Sequence, residues 1–204
     1  MKDVILIDAG VGNLRSVQKA LETVGANVTR TDDPHKVLAG QRVVLPGVGA
    51  FGDFMSGLRA RGLDGAVTDI AARAVPLLGI CVGMQALFEM GEELGEYAGL
   101  GLLAGKVVKF AATASLKIPH TGWNQIELKQ NSVLFQQIQT GDYAYFNHSY
   151  YCQAQNSADV LATTDYGLHY ACAVQRENIF GVQFHPEKSQ AVGLQILRNF
   201  LETT

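Results

Sequence analysis

The chain has 204 residues, 16 basic against 19 acidic side chains, a net charge of −3 and 48% hydrophobic residues. That is enough apolar material for one α/β domain spanning residues 1–204, and the charge gives no basis for nucleic-acid or anionic-membrane binding. The first apolar run, MKDVILID, is too short for a signal peptide, no window reaches membrane-span length, and three scattered cysteines suit a reducing cytoplasm better than a disulfide framework.

In chain order, Val4 to Ile7 reads as a strand, Asn13 to Val24 as a helix with Leu14, Val17, Leu21 and Val24 on one face, and Asn27 to Thr29 as a short strand. Val43 to Leu45 is a further strand. A glycine-rich turn follows, then a helix within Asp53 to Ala74, an apolar strand ending at Ile80, and a helix from Val82 through Met90. Strands alternating with helices predict right-handed crossovers and an open, mostly parallel central sheet flanked by helices. The second half differs. Segments 106–110, 124–128, 143–153, 160–164, 169–175 and 179–184 are strand-like, with a hairpin at Arg176-Glu177-Asn178-Ile179, and 194–201 closes as a helix. Additional antiparallel strands are therefore expected there.

Cys81 stands where the buried strand meets the helix, in Gly79-Ile80-Cys81-Val82-Gly83. This is the thiol form of the nucleophile elbow, in which glycines permit a sharp turn that lifts the side chain above the sheet's carboxyl edge. The following helix start favours a thiolate and leaves the Val82 N–H free to hold an oxyanion. Cys152 and Cys172, inside strand patterns, read as small buried hydrophobes. A thiol nucleophile needs a base. His35 reads as solvated, His169 as core, and His120 and His148 as edges of a site. His185 ends a strand, and Glu187 stands two residues on, beyond Pro186, on the same side of an extended chain. That carboxylate can orient the imidazole and stabilise its cation.

These segments, "GICVGMQALFE" and "GVQFHPEKS" together with the N-terminal strands, are similar to class I (triad-type) glutamine amidotransferases over essentially the whole chain. Gly12 to Val17, Pro46 to Gly49 with Phe51, Gly122 to Asn124, His148 to Tyr150, and Lys188-Ser189 narrow the resemblance to the glutaminase subunits of imidazole glycerol phosphate synthases. Ala9, Thr121 and Val82 depart from it, standing where an aromatic residue, methionine and leucine are usual.

The resemblance implies attack of Cys81 on the glutamine amide, with His185 and Glu187 completing a triad, and release of ammonia through a γ-glutamyl thioester. It implies an oxyanion hole from the N–H groups of Val82 and Val48, glutamine contacts from Gly47, Gly49, Gln85, Ser149 and Tyr150, and no cofactor or metal. It further implies a (β/α)₈-barrel cyclase partner that receives the ammonia, converting PRFAR to imidazole glycerol phosphate and AICAR, with Asn13, Trp123 and Lys188 as candidate interface residues. One motif favours another class. Gly47-Val48-Gly49-Ala50-Phe51-Gly52 matches the dinucleotide fingerprint G-x-G-x-x-G. Pro46 interrupts its strand-to-turn join, however, and the acidic residue at the right offset, Asp69, falls within a predicted helix rather than at a strand end.

Overall fold

The computed structural model describes residues 1–111 and 116–203. Its first half is a sequence of β/α units: β1 (Lys2–Ile7), α1 (Leu14–Thr23), β2 (Ala26–Thr31), α2 (Pro34–Leu38), β3 (Val43–Gly47), α3 (Phe51–Ala60), α4 (Leu63–Ala72), β4 (Leu77–Cys81) and α5 (Val82–Ala86). The second half is mostly strands: β5 (Phe88–Gly91), β6 (Tyr97–Ala98), β7 (Leu103–Lys109), β8 (His120–Gln125), β9 (Glu127–Leu128), β10 (Tyr143–His148), β11 (Tyr150–Ala154), β12 (Val160–Asp165), β13 (His169–Arg176) and β14 (Ile179–Val182), closed by α6 (Gln190–Leu201).

The main sheet runs β2-β1-β3-β4-β14-β13-β11-β7-β5-β6, with β12 on β13 and β9 on β12. From β2 to β14 every pairing is parallel; beyond β14 the ladder is antiparallel through β13, β11 and β7. The sheet is thus the expected parallel core with antiparallel strands added from the second half. β8 and β10 form a separate antiparallel pair. β3 and β4 are buried on both faces, as strands covered by helices on either side must be.

Three local readings are corrected. The helix expected within 53–74 is two helices, because Gly62 takes a left-handed φ of 67° and ends the first. The helix expected to reach Met90 stops at Ala86. Phe88 and Met90 instead pair in parallel with β7, and Phe88 is fully buried, so tertiary pairing overrides helix propensity. His169 is not core: its side chain is 65% exposed, within 3.9 Å of carboxylate oxygens of both Glu127 and Asp165. Cys152 and Cys172 are buried free thiols, and burial pushes both well above the ordinary thiol range.

Candidate active site

Cys81 is the last residue of β4 and the cap of α5, with φ 55° and ψ −113°. A non-glycine residue there carries backbone strain, of order 1–3 kcal/mol, held in place by its surroundings. Those surroundings are glycines. A Cβ on Gly83 would lie 1.8 Å from the Leu45 carbonyl oxygen, one on Gly79 would lie 2.6 Å from Gly83 O, and one on Gly47 would lie 2.7 Å from Gly83 N. Only three bare backbones let α5 approach β3 and β4 so closely. Val82 is the first residue of α5, so its N–H has no acceptor within the helix.

The ladder aligns the rest. Gly47 is opposite Cys81 on one side of β4, and Val182 is opposite Ile80 on the other. The β3 loop containing Val48 and Gly49 and the segment Gln183–Glu187 therefore flank the thiol. His185 Nδ1 is 2.9 Å from Glu187 Oε1, and the two side chains are only 6% and 1% exposed. The contact arises differently from the expectation. Residues 186–188 coil into a 3₁₀ turn that brings the carboxylate back under the ring, in place of an extended i, i+2 arrangement. The turn is anchored on β10: His185 N donates to Tyr145 O, Ser189 Oγ donates to His185 O, and Tyr145 N donates to Ser189 Oγ.

Burial alone would depress the His185 pKa. Hydrogen bonding of the ring to Cys81 and Glu187, with their charges, outweighs it and pushes the imidazole up to about 10. At neutral pH the ring is therefore a cation between the Cys81 sulfur and the Glu187 carboxylate. Glu187 Oε2 is buried with no hydrogen-bond partner among the described residues, so the imidazolium is what compensates this carboxylate.

A cavity of about 270 Å³ opens over the sulfur, lined by Val48, Gly49, Val82, Gln85, Ser149 and Tyr150 beside Cys81 and His185. The structure thus gathers the candidate nucleophile, base, oxyanion and substrate residues around one space. Gly47 lies just outside it, packed on Gly83 and Phe54. Gln85 Nε2 is committed to Tyr150 O at 3.0 Å and Gln183 Oε1 at 3.1 Å, which leaves its own oxygen for a ligand. Lys188 also lines the cavity, and its Nζ lies 5.6 Å from the centre of the Tyr145 ring. Trp123, 45% exposed, meets the same ring edge-on at 6.0 Å. Asn13 is exposed at the start of α1, the helix packed on the 186–188 turn.

Sequence reasoning did not single out Glu93, Asn147 or Gln183. Glu93 lines the cavity while its carboxylate accepts from Phe51 N at 2.7 Å, capping α3. Gln183 donates toward the Cys81 sulfur at 3.8 Å. It lies just beyond β14, two residues before His185. His148 lines the cavity and is buried; His120, also buried, does not line it, and the Tyr170 hydroxyl bridges the two at 2.9 Å from each.

Two glycines of the dinucleotide-like motif are accounted for by packing, Gly47 on Gly83 and Phe54 and Gly52 under the Tyr97 ring, and the third, Gly49, by its φ of 90°. Among the described residues there is no cluster of three metal-ligating side chains, and no helix is long and apolar enough to cross a membrane.

A buried cysteine at a strained strand-to-helix turn, sharing a cavity with a carboxylate-held imidazolium on a parallel α/β sheet, fits a thiol amidotransferase site. The chain belongs to the class I glutamine amidotransferase family, whose model matches residues 5–204. It is 52% identical over 200 residues to the imidazole glycerol phosphate synthase subunit HisH of Salinibacter ruber, covering 96% of this chain and 92% of that protein. It is 50% identical over 202 residues to the subunit of the same name from Moorella thermoacetica, covering 99% and 95%. Solved structures share the fold: PurLQS from Thermotoga maritima at a TM-score of 0.77, with 19% identity and 98% coverage of both chains, and a glutamine amidotransferase at 0.76, with 18% identity and 97% coverage of both.

Proposed function

We propose that the chain is the glutaminase subunit of an imidazole glycerol phosphate synthase, hydrolysing glutamine and passing the ammonia to a (β/α)₈-barrel cyclase that forms imidazole glycerol phosphate and AICAR from PRFAR. The observation that carries the chemistry is the Cys81–His185–Glu187 arrangement beneath a cavity that presents Val48 and Val82. Close identity to two HisH subunits supports the pathway assignment.

The side-chain amide of glutamine enters over the Cys81 sulfur. The thiolate attacks the amide carbon, and the oxyanion is held by the Val82 N–H and a second N–H from Val48. The His185 Nε2 proton goes to the leaving nitrogen, ammonia departs, and the acyl group remains on sulfur as a thioester. Neutral His185 then takes a proton from water as that water attacks the thioester. The thiolate and imidazolium are regenerated, and the product acid ionises to glutamate. Glu187 stays ionised and holds the ring throughout. Glu93, an acidic side chain lining the cavity outside the triad, faces the space where the substrate's ammonium group needs a counter-charge; Ser149, Tyr150 and the Gln85 oxygen complete the polar lining.

Ammonia released into water is protonated and ceases to be a nucleophile, so an acceptor must dock over the site. The Trp123–Tyr145–Lys188 cluster and Asn13 offer an exposed aromatic and cationic surface for it. The test is co-purification with the cyclase, followed by glutaminase and cyclase assays with glutamine as sole nitrogen source. No glutamate from glutamine in the presence of cyclase and its ligand overturns the reading.

A further inference from the structure

Gln183 follows β14 with its side chain fully buried, where both ends of a carboxamide need partners. Its Nε2 is 3.8 Å from the Cys81 sulfur, and its Oε1 is 3.1 Å from Gln85 Nε2. The orientation of such an amide follows from what its neighbours can donate or accept. Here the fixed point is a main-chain carbonyl. Tyr150 O only accepts, so Gln85 must turn its amino end toward it. The other hydrogen of that amino group points at Gln183, which must answer with its oxygen. The Gln183 amino group is left facing the sulfur.

The Tyr150 carbonyl is pinned from a second direction. His148 Nδ1 lies 2.7 Å from it and has to donate. In a neutral ring His148 Nε2 is then the acceptor, and receives the Tyr170 hydroxyl hydrogen. The Tyr170 oxygen accepts from His120 Nδ1, and His120 Nε2 accepts from Asn124 Nδ2 at 3.3 Å. Asn124 Nδ2 also reaches Asp165 O at 2.8 Å. Every donor and acceptor from Asn124 to Cys81 is assigned in one way only, provided both imidazoles are neutral. Burial keeps them so, lowering His120 to about 4 and His148 to about 3.

We propose that Gln183 is a catalytic residue of this site, its carboxamide N–H donating to the Cys81 sulfur and stabilising the thiolate, with Gln85, His148, Tyr170 and His120 as positioning residues that fix its orientation. The inference rests on the glutaminase reading for its purpose and on hydrogen-bond geometry for its content. A thiolate accepts more strongly than a thiol, so the contact favours the anion before attack. It weakens when sulfur is acylated and is restored when water displaces sulfur, so it also assists the leaving group of the second step. Other charged or titratable groups around the sulfur are His185 with Glu187, the cavity-lining Glu93, Lys188, Tyr150 and His148, and Cys152 and Tyr170 behind it on β11 and β13. None of these except Tyr170 is altered in the variants below.

The measurement is the rate of Cys81 alkylation by iodoacetamide from pH 5 to 10, located on Cys81 by mass spectrometry, in wild type, Gln183→Met, Gln183→Glu and Tyr170→Phe. Gln183→Met keeps the volume and removes the donor. Its alkylation midpoint is expected to rise by about one pH unit, a roughly tenfold loss of thiolate below the midpoint. Gln183→Glu places a carboxylate there and is expected to shift it further. Tyr170→Phe, remote from sulfur, is expected to shift it in the same direction by about threefold in thiolate. In steady-state glutaminase assays kcat falls while KM stays within about twofold. A purely structural role lowers the melting temperature and leaves the midpoint unchanged, and an unchanged midpoint in either Gln183 variant overturns the proposal. Should Gln183→Met not fold, the equal-sized Gln183→Glu carries the test. Alkylation needs no glutamine, so a wild-type chain without glutaminase activity beside cyclase and its ligand would sink the functional reading while still reporting on the sulfur contact.

Discussion

Lowering the pH from 7 to 5 should destabilise this protein through two residues the reaction does not consume. His120 and His148 are buried, at 3% and 7% exposure, and burial lowers them from 6.5 to about 4 and about 3. Both are neutral when folded and regain their ordinary basicity when unfolded. Their contribution is therefore present above the unfolded value of about 6.5 and is lost as pH falls toward the folded values. Between pH 7 and 5 the unfolded chain takes up nearly one proton at each ring while the folded chain takes up almost none, a loss of about 2 kcal/mol per histidine. The two together lose about 4 kcal/mol, and His185, raised to about 10 and so already charged in the folded state at pH 7, regains about 1 kcal/mol as the unfolded ring protonates; the net loss, about 3 kcal/mol, is a large share of the 5–15 kcal/mol that typically stabilises a domain. Glu127 and Glu202 are lowered by Lys129 and Lys2, which keeps both carboxylates out of this window. The assay is urea denaturation at half-unit pH intervals, comparing wild type with His148→Asn, whose amide keeps a donor near Tyr150 O. Wild type should lose about 3 kcal/mol and the variant about 1. A stability flat between pH 7 and 5, or equal slopes in the two proteins, would refute the reasoning.

Cys81→Ala should leave a folded protein with no measurable glutaminase activity, whereas Cys152→Ala and Cys172→Ala should retain catalysis; a fully active Cys81→Ala protein ends the thiol mechanism. His185→Asn should cost several orders of magnitude in turnover and Glu187→Gln less, since the latter removes orientation and charge but not the proton carrier; equal losses at every pH would show the division of roles to be wrong. Gly83→Ala, whose Cβ would sit 1.8 Å from Leu45 O, should destabilise the fold by on the order of 3 kcal/mol or more, and an unshifted denaturation midpoint contradicts the elbow packing. Gly49 has φ +90° with open space where a Cβ would go, so the peptide of Val48 has room to rotate its N–H toward or away from the cavity. Turnover should therefore be slow for the isolated chain and rise about a hundredfold or more with cyclase and its ligand, while KM changes less. Equal kcat values in all three states remove the switch.

The elbow was legible because its chemistry is local: glycines two residues either side of Cys81 mark a turn that no other residue permits. The parallel order of β1, β3 and β4 was legible for a similar reason, since buried strands and crossover helices leave strong apolar patterns. What escaped depends on pairing between distant segments. Phe88 looks helical until β7 arrives beside it, and the helix break at Gly62 is one glycine among 22. His120 looked like a site edge, because nothing adjacent in sequence announces that Tyr170 ties it to His148 behind the cavity. Gln183 went unremarked, although it stands only two residues before His185, because its meaning comes from Gln85, 98 residues away.

β14 has a consequence for the order in which the protein can be made. It lies between β4 and β13 and joins the parallel half of the sheet to the antiparallel half, yet it comes from residues 179–182. A ribosome delivering the chain from its N-terminus has exposed β4 long before that strand emerges. Until then the free edge of β4 is an open template for pairing with another chain, and Cys81 stands at its end with neither Gln183 nor His185 beside it. Pairing Ile80 with Val182 closes a loop of about a hundred residues, among the slowest contacts a chain of this size has to make. Truncation before residue 179 would therefore remove the seam of the sheet along with the base, leaving an aggregation-prone half and not a weaker enzyme. His185 and Gln183, the groups proposed to act on Cys81, follow the last strand to arrive, so a nascent chain holds that cysteine with neither of them beside it.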